Sequence, residues 1–304
     1  MMPIPDRALT ALAVRTGGAV YLLDCGEGLQ VPYKALHVGL RALRFVALTH
    51  LHADHCLGVP GLLMLRSQME DPAPLTVIGP SGVERFIRNV IRDLSCRITF
   101  DVQYVEIEPT KGLEGADSLP TVYEDDLVSL RWLPLLHSAF CVGYRLEEHA
   151  RPGEFRPEAA RQLGLAPGPD YARLQGGECV TTPGGALVRP EQVLGERRRG
   201  RHVAFCTDTS PCENLGRLLE GVDIAFLEAM FLPEHAEEAR QKQHLCVSDA
   251  ARIAHQAGAQ QTILTHLSPR YDASQINTFT SLAHEVAPNI RAGRDGERIP
   301  IKLP

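Results

Sequence analysis

The stretch ALTHLHADHCLG, residues 47–58, places three imidazoles and one carboxylate within six residues: His50, His52, Asp54 and His55. They follow the apolar run RFVAL directly. His50 and His52 cannot share a helix face, where neighbours are three or four residues apart, but they can converge from a turn. Nitrogen and oxygen ligands without thiolates suit an open, catalytic Zn²⁺ site better than a closed structural one. The cluster therefore predicts a catalytic metal site.

Four predicted strands end in a potential metal ligand. Strands are predicted where short β-branched or aromatic-rich runs are bounded by turn residues. His50 ends the run 44–50, and each of the other three runs also ends in a potential ligand. Loops that follow strands of a rigid sheet often hold catalytic groups, so these four residues are candidates for one site. Seven ligands are too many for one zinc ion, so two ions that share one carboxylate are the economical arrangement. The other three strand-end residues are His137 (127–137), Asp208 (202–208) and His266 (261–266).

Helical and extended stretches alternate along the chain, which predicts an α/β or α+β layered fold. A helix is predicted over 80–94 (PSGVERFIRNVIRDL). A second is predicted over 248–258, with Ser248 at its N-cap and Gly258 at its C-cap. Further strands are predicted over 19–24, 75–79 and 222–229.

The composition is that of a globular protein of one large or two small domains, with 304 residues of which 44% are hydrophobic. The start lacks a basic segment followed by a long apolar stretch, and no run approaches the roughly 18 apolar residues of a membrane span. We therefore expect a cytoplasmic protein with no membrane partner. Eight cysteines without a CxxC pair are expected to be reduced and mostly buried.

Charge is unevenly distributed along the chain. The net charge of −6 argues against non-specific binding to a polyanion. Residues 151–201, however, hold nine arginines and six acids, a net +3 that leaves −9 on the rest. Five prolines lie between 152 and 183, so this segment is predicted to be an insertion that projects from the main body. The plain alternative is a solvated surface insertion.

Several motifs together resemble the metallo-β-lactamase superfamily, and more narrowly its ribonuclease Z branch, the tRNA 3′-processing endonucleases. They are THLHADH, DCGEG (24–28), His137, TDT around Asp208, and LTHLSPRY (264–271). HxHxDH identifies only the superfamily; HSAFCVGYRLEE, the Gly-Pro pair in LAPGPDYARL and THLSPRY narrow it to the branch. The resemblance covers nearly the whole chain. It implies one domain over 1–304, an αβ/βα four-layer sandwich, with a projecting exosite arm inserted at 151–201.

The resemblance also implies roles for single residues. One zinc ion would take His50, His52 and His137, and the other Asp54, His55 and His266, with Asp208 bridging; Mn²⁺ or Fe²⁺ are alternatives. Asp54 would accept the proton of the attacking water. His244, in HLC where the family has HST, would protonate the departing 3′ oxygen and would be oriented by Glu228, in LEAM where the family has HEAT. The substrate-binding residues would be Gly168, Pro169, Arg197, Arg198, Arg199 and Arg270.

The implied activity is removal of the 3′ trailer from precursor tRNA, which leaves a 3′-hydroxyl on the tRNA. The implied assembly is a homodimer in which the arm of one subunit serves the site of the other, and no DNA partner is expected. Two other interpretations remain open: a hydrolase of the same fold for a small phosphodiester or a sulfate or carboxylic ester, and a metal-bearing RNA-binding protein without turnover. Without the resemblance, Glu228 is equally well a surface acid and His244 a histidine at a helix entry.

Overall fold

The structure is a computed structural model that describes residue 4 and residues 7–70, 72–109, 118–272 and 274–303. Within these ranges the chain forms fourteen β-strands and eleven α-helices. The strands are β1 (Leu12–Thr16), β2 (Ala19–Leu23), β3 (Leu43–Ala47), β4 (Leu75–Pro80), β5 (Val102–Ile107), β6 (Thr121–Glu124), β7 (Val128–Leu135), β8 (Cys141–Glu148), β9 (Val180–Thr181), β10 (Leu187–Val188), β11 (His202–Cys206), β12 (Ile224–Glu228), β13 (Thr262–Thr265) and β14 (Ile290–Ala292). The helices are α1 (Gln30–Ala35), α2 (Ala53–Cys56), α3 (Gly58–Arg66), α4 (Val83–Asp93), α5 (Pro157–Gln162), α6 (Pro169–Gln175), α7 (Pro190–Val193), α8 (Glu213–Leu219), α9 (Ala236–Lys242), α10 (Val247–Gln256) and α11 (Ile276–His284).

Two sheets organise most of these strands. The first has the order β1-β2-β3-β4-β5, in which β2 to β5 are parallel and β1 is antiparallel. The second has the order β14-β13-β12-β11-β8-β7-β6, in which β11 to β14 are parallel. Since ligands of such sheets bind beyond the carboxyl ends of the strands, the residues that follow these parallel strands are the ones placed for chemistry.

The central strands are apolar on both faces because both faces are covered. On β2, Tyr21 and Leu23 pack between the two sheets with Phe45 and Trp132. The alternate residue Leu22 points to the opposite face, into a core with α3 and α4. Helices α8, α10 and α11 cover the outer face of the second sheet in the same way. The predicted αβ/βα four-layer sandwich is confirmed.

Some predicted boundaries were wrong by a few residues. Helix α10 begins at Val247 with Cys246 at its N-cap, not Ser248. The reason is tertiary, since the amide of Val247 donates to the carbonyl oxygen of Phe231 at 2.9 Å and so fixes where the extended chain turns into the helix. Its C-cap is Ala257, and Gly258 follows with φ 71°, a left-handed backbone that suits glycine.

The predicted helix over 80–94 also starts later than expected, since α4 begins at Val83. Pro80 still belongs to β4, and Gly82 makes the turn into the helix with φ 99°. The strands predicted over 44–50 and 127–137 end at Ala47 and Leu135, so the potential ligands His50 and His137 lie in the loops beyond them.

Contacts divide the chain into two compact units, one of which consists of Glu148–Arg201 with a few C-terminal residues. Its helices α5, α6 and α7 each begin with proline, whose fixed φ suits the first helical position. The short apolar runs of this unit build a core of their own, and the insertion is therefore more than a solvated loop. The fully buried members of this core are Ala160, Leu165, Leu174, Val180, Val188 and Val193.

No helix in the described ranges is long and apolar enough to cross a membrane. All eight cysteines are free thiols; five are buried and Cys179 is exposed.

Candidate metal centre

The polar residues of the candidate site lie where strands end. Asp24 follows β2, Asp208 comes two residues after β11, and His266 follows β13. All three have left-handed backbones, with φ of 57°, 46° and 53°. Such conformations are uncommon outside glycine and cost on the order of 1 kcal/mol or more, and they cluster at functional sites. Here the sharp turn ends each strand at the sheet edge and places a polar side chain there.

Asp208 lies between two pairs of histidines. Its Oδ2 is 3.7 Å from the Nε2 atoms of both His50 and His137. Its Oδ1 is 3.4 Å from Nε2 of His55 and 3.2 Å from Nε2 of His266. The two oxygens of one carboxylate thus face different pairs of imidazoles, as a carboxylate shared by two ions would.

The remaining predicted ligands complete the two groups. His52 Nδ1 is 3.4 Å from Nε2 of His137, on one side of the cluster. Asp54 Oδ2 is 3.5 Å from Nε2 of His55 and 3.7 Å from Nε2 of His266, on the other side. Within each group the potential donor atoms all lie within 4.8 Å of one another. These two groups are His50, His52, His137 and Asp208, and Asp54, His55 and His266; a third group joins Asp208 and His266 with His244.

Two buried atoms of the cluster indicate that a cation belongs there. His50 Nε2 and Asp208 Oδ1 have no hydrogen-bond partner although both residues are buried. An unsatisfied buried polar group costs about 1–3 kcal/mol. Imidazole nitrogens and carboxylate oxygens are the donor set of divalent transition ions such as zinc. The residues present therefore fit divalent metal ions.

The pKa values of the histidines in the cluster also fit a site for divalent metal ions. Burial lowers the pKa of His266 to about 3 and that of His137 to about 4, and it lowers the pKa of His50 further. These imidazoles are neutral at pH 7 and offer a lone pair to a metal. His55 differs: burial opposes its charge, but Asp208 and Asp24 raise its pKa well above the usual value. Metal binding is therefore coupled to loss of a proton from this group.

Two residues that the sequence analysis did not assign to the site orient its ligands. Asp24 Oδ2 accepts the Nδ1–H of His55 at 2.7 Å, and Asp24 Oδ1 accepts the amide of Thr49, also at 2.7 Å. The carbonyl oxygen of Gln243 accepts the Nδ1–H of His137 at 3.2 Å. Both bonds turn the Nε2 atoms of the imidazoles toward the cluster. Asp24 had a signal, since it is the last residue of the strand predicted over 19–24; Gln243 acts through its backbone and had none.

The predicted acid and its partner lie together. His244 Nδ1 is 3.1 Å from both carboxylate oxygens of Glu228, and the amide of Thr209 donates to the same carboxylate. Glu228 is fully buried, so its interpretation as a surface acid was wrong. Burial opposes charge on His244, but the hydrogen bond to Glu228 more than compensates and raises its pKa. The His244 ring stacks on that of His266, with ring centroids 5.6 Å apart.

A cleft of about 330 Å³ opens on the cluster. His244 lines it, together with His52, Asp54 and His266. Lys242 also lines it, from the end of α9. The cleft therefore presents the histidine and the carboxylate that were predicted to move protons.

The predicted substrate-binding residues are not among the residues that line this cleft. Gly168 is the N-cap and Pro169 the first residue of α6 in the second compact unit. In that unit Arg197 and Arg198 are exposed and donate to the carbonyl oxygens of Ala150 and Pro152, whereas Arg199 is half-buried. Arg270, in the first unit, pairs with Glu238 and is not among the residues that line the cleft.

Comparisons with known proteins place this geometry in a family. The profile of the metallo-β-lactamase superfamily matches residues 5–65, and that of a β-lactamase superfamily domain matches residues 171–267. The chain is 36% identical to a ribonuclease Z of Treponema denticola over 99% of its own length and 95% of that protein. It is 42% identical to a ribonuclease Z of Salinibacter ruber over 89% of its length and 82% of that protein. Its fold is similar to that of human tRNase Z, short form, with a TM-score of 0.72 at 20% identity over 100% of this chain and 96% of that one.

Proposed function

Because this chain belongs to the ribonuclease Z family of the metallo-β-lactamase superfamily, we propose that it is a metal-dependent endoribonuclease that cleaves the 3′ trailer from precursor tRNA. One observation carries the proposal: a chain similar over 99% of its length to a ribonuclease Z gathers six potential metal ligands around a seventh, the carboxylate of Asp208. The product is a tRNA with a free 3′-hydroxyl, and the trailer keeps the 5′-phosphate.

The proposed cofactor is a pair of zinc ions in each subunit. His50, His52 and His137 would hold one ion, Asp54, His55 and His266 would hold the other, and Asp208 would be shared between them. Mn²⁺ and Fe²⁺ accept the same nitrogen and oxygen donors, so the donor set favours a divalent ion without selecting one.

When bound, such ions lower the pKa of water and neutralise negative charge on the phosphodiester while its leaving oxygen is displaced. The chain supplies the proton transfers. The Asp54 carboxylate accepts a proton from the attacking water. His244, protonated and held by Glu228, donates a proton to the departing 3′ oxygen, as a positioned general acid does. The Glu228–His244 contact of 3.1 Å supports this assignment.

We further propose that residues 151–201 form the arm that grips the tRNA body. Gly168, Pro169 and the arginines Arg197, Arg198 and Arg199 are the contacts assigned to it, and Arg270 is a further substrate-binding residue outside it. Arginines that bind phosphates hold folded RNA mainly by its shape. The active assembly is a homodimer in which the arm of one subunit serves the other. A cytoplasmic location fits the eight free thiols.

The test is to incubate zinc-loaded protein with a 3′-extended tRNA transcript, with a chelator in a parallel sample. Asp54→Asn is the matched variant, and Asp126→Asn, at an exposed aspartate, is its control. We expect one cut at the 3′ end of the acceptor stem that the chelator and Asp54→Asn abolish and the control retains. An uncut transcript with a hydrolysed small phosphodiester would instead indicate a small-molecule hydrolase. Binding of tRNA without any hydrolysis would indicate an RNA-binding protein.

A further inference from the structure

The C-terminal end of α9 brings a cation to the cleft. Lys242 is the last residue of the helix, and it lines the cleft beside Gln243 and His244. Among the described residues that line this cleft, Lys242 is the one with a permanent positive charge, whereas Asp54 and Asp208 are acids. Phosphates dominate the charge of nucleic acids and are bound by lysine and arginine. This wall of the cleft therefore suits a phosphate.

The carboxylate that holds Lys242 is shared with a second cation. Glu238 Oε1 accepts Nζ of Lys242 at 2.7 Å, and the two oxygens of Glu238 accept the guanidinium of Arg270 at 2.6 and 2.8 Å. Arg270 and Lys242 together lower the pKa of Glu238 to about 2. The single negative charge of Glu238 is paired with the positive charges of both Lys242 and Arg270. These three side chains therefore keep a net charge of +1, which a phosphate can neutralise.

Arg270 and Lys242 differ in how many of their hydrogen-bond donors Glu238 accepts. The guanidinium of Arg270 engages Glu238 with two nitrogens and lies over the ring of Phe231, 5.0 Å from its centroid. The ammonium of Lys242 also lies over this ring, 6.0 Å from its centroid, but it has three donors on a flexible stem, and Glu238 takes one of them. Arg270 is therefore placed to fix Glu238, while Lys242 retains donors for a ligand in the cleft.

We propose that Lys242 binds a phosphate of the RNA strand that neighbours the scissile phosphodiester, and that Arg270 positions it through Glu238. The inference rests on the proposed function, since only a polynucleotide has such a neighbouring phosphate. Lys242 lies two residues before His244, a separation that the backbone spans in at most about 7 Å. It is a substrate-binding residue beside the reacting group, in addition to the substrate contacts proposed above.

The same helix offers a matched control. Arg240 is paired with Glu237 at 2.6 Å, and its side chain is 70% exposed, against 56% for Lys242. Arg240 does not line the cleft. Removal of either positive charge changes the net charge and the helix terminus alike, so a difference between the two variants reports on the cleft.

The experiment compares Lys242→Gln, Lys242→Arg and Arg240→Gln in the zinc-loaded full chain. Each is assayed on a 3′-extended tRNA transcript and on bis(4-nitrophenyl) phosphate, a diester without a neighbouring phosphate, over a series of salt concentrations. For Lys242→Gln we expect the ratio of kcat/KM on tRNA to kcat/KM on the small diester to fall about tenfold, chiefly through KM, as for the loss of one charge-assisted contact. The slope of log(kcat/KM) on tRNA against the logarithm of the salt concentration becomes shallower by about 0.7, the value for one phosphate contact to a single strand. Lys242→Arg restores most of the loss.

The outcomes separate this inference from the proposed function. A wild-type protein that cuts the transcript, beside a Lys242→Gln variant that matches Arg240→Gln, overturns the inference alone. Equal losses on both substrates also overturn it, because they would place Lys242 in the chemistry common to all diesters. A wild-type protein that leaves the transcript uncut overturns the proposed function and this inference with it.

Discussion

At the scale of single residues, the site depends on which nitrogen of each histidine is presented to the metal. The spacing H-x-H-x-D-H supplies the ring nitrogens, but hydrogen bonds from other parts of the chain orient them. Asp24 holds His55, and the backbone of Gln243 holds His137. Loss of such a supporting contact typically lowers metal affinity or activity by about 10- to 100-fold.

Asp24→Asn tests this support with the smallest change of shape. The amide that replaces the carboxylate presents a second donor to the Nδ1–H of His55, so the imidazole is driven to the tautomer that carries its proton on Nε2, where the metal lone pair is needed. We expect affinity for zinc to fall by about 10- to 100-fold in a competition titration against a chelator. Asp126→Asn, at an exposed position, is the control. Unchanged zinc affinity in Asp24→Asn would show that Asp24 does not set the tautomer.

His244→Ala tests the proposed acid. Loss of a positioned proton donor lowers kcat by about 10²–10⁴-fold, and we expect this loss on a tRNA transcript while zinc content, measured by mass spectrometry, stays at the wild-type level. His255→Ala, at an exposed position of α10, is the matched control. A variant that loses zinc together with activity would instead make His244 a ligand, a role that its place in a group with Asp208 and His266 also allows.

At the scale of elements, the parallel strands do most of the assembly. Once β2 and β3 are paired in one sheet and β11, β12 and β13 in the other, the residues after them meet at the sheet edge. The left-handed turns at Asp24, Asp208 and His266 end the strands sharply there. Helix boundaries were less predictable, as at α10, because a contact with Phe231 and not the N-cap preference of Ser248 decides where the helix begins.

One turn ties the two sheets together. Asp125, between β6 and β7, accepts the amides of Leu127 and Val128 with Oδ1 at 2.9 and 3.0 Å. Its Oδ2 accepts the hydroxyl of Tyr21, on β2 of the other sheet, at 2.8 Å. Burial opposes ionisation of Asp125, but these bonds prevail and lower its pKa.

Asp125→Asn is therefore expected to lower the free energy of unfolding by about 1–2 kcal/mol at pH 7, the loss of charge-assisted hydrogen bonds on a partly exposed group. Because the folded-state pKa is depressed, the carboxylate stabilises the fold above about pH 4 and loses that effect as the pH falls through the folded pKa. Denaturant melts at several pH values should show the difference between variant and wild type shrinking in acid. Asp126→Asn at the next, exposed position should melt as the wild type does, and a constant difference across pH would contradict the assignment.

At the scale of the whole molecule, charge and fold divide between two compact units. The insertion of Glu148–Arg201 has its own apolar core and a net positive charge, while the unit with the metal centre is acidic. This division allows a protein with a net charge of −6 to bind an RNA, since the basic segment attracts phosphates locally.

Replacement of Arg197, Arg198 and Arg199 together by alanine tests the proposed arm. We expect KM for a tRNA transcript to rise and the salt dependence of kcat/KM to become shallower by up to about 0.9 for each phosphate contact removed. Hydrolysis of a small chromogenic phosphodiester should continue at the wild-type rate. The control replaces Arg85, Arg88 and Arg92 on α4, which are also exposed. Equal effects of the two triple variants would show that these arginines act only through the net charge of the protein and do not contact the tRNA.

The sequence by itself determined the fold class, the family and all seven potential metal ligands. The candidate ligands follow from local features, since turn-bounded apolar runs mark strands, strand ends mark a site, and the H-x-H-x-D-H spacing lies within six residues. The family and its four-layer sandwich follow from the resemblance of the motifs. Several edge and short strands, such as β1, β9 and β14, were not predicted. Their runs of two to five residues carry little periodicity, and pairing with a neighbour is what makes them strands.

Only the tertiary structure decided how the ligands are oriented and which cation reaches the cleft. Asp24 and His55 are 31 residues apart, Gln243 and His137 are 106 apart, and Arg270 and Glu238 are 32 apart. No local pattern links such pairs, because they come together through the register of the sheets and the placement of α9. That is why the sequence did not indicate the pair of Arg270 with Glu238 or the place of Lys242 in the cleft.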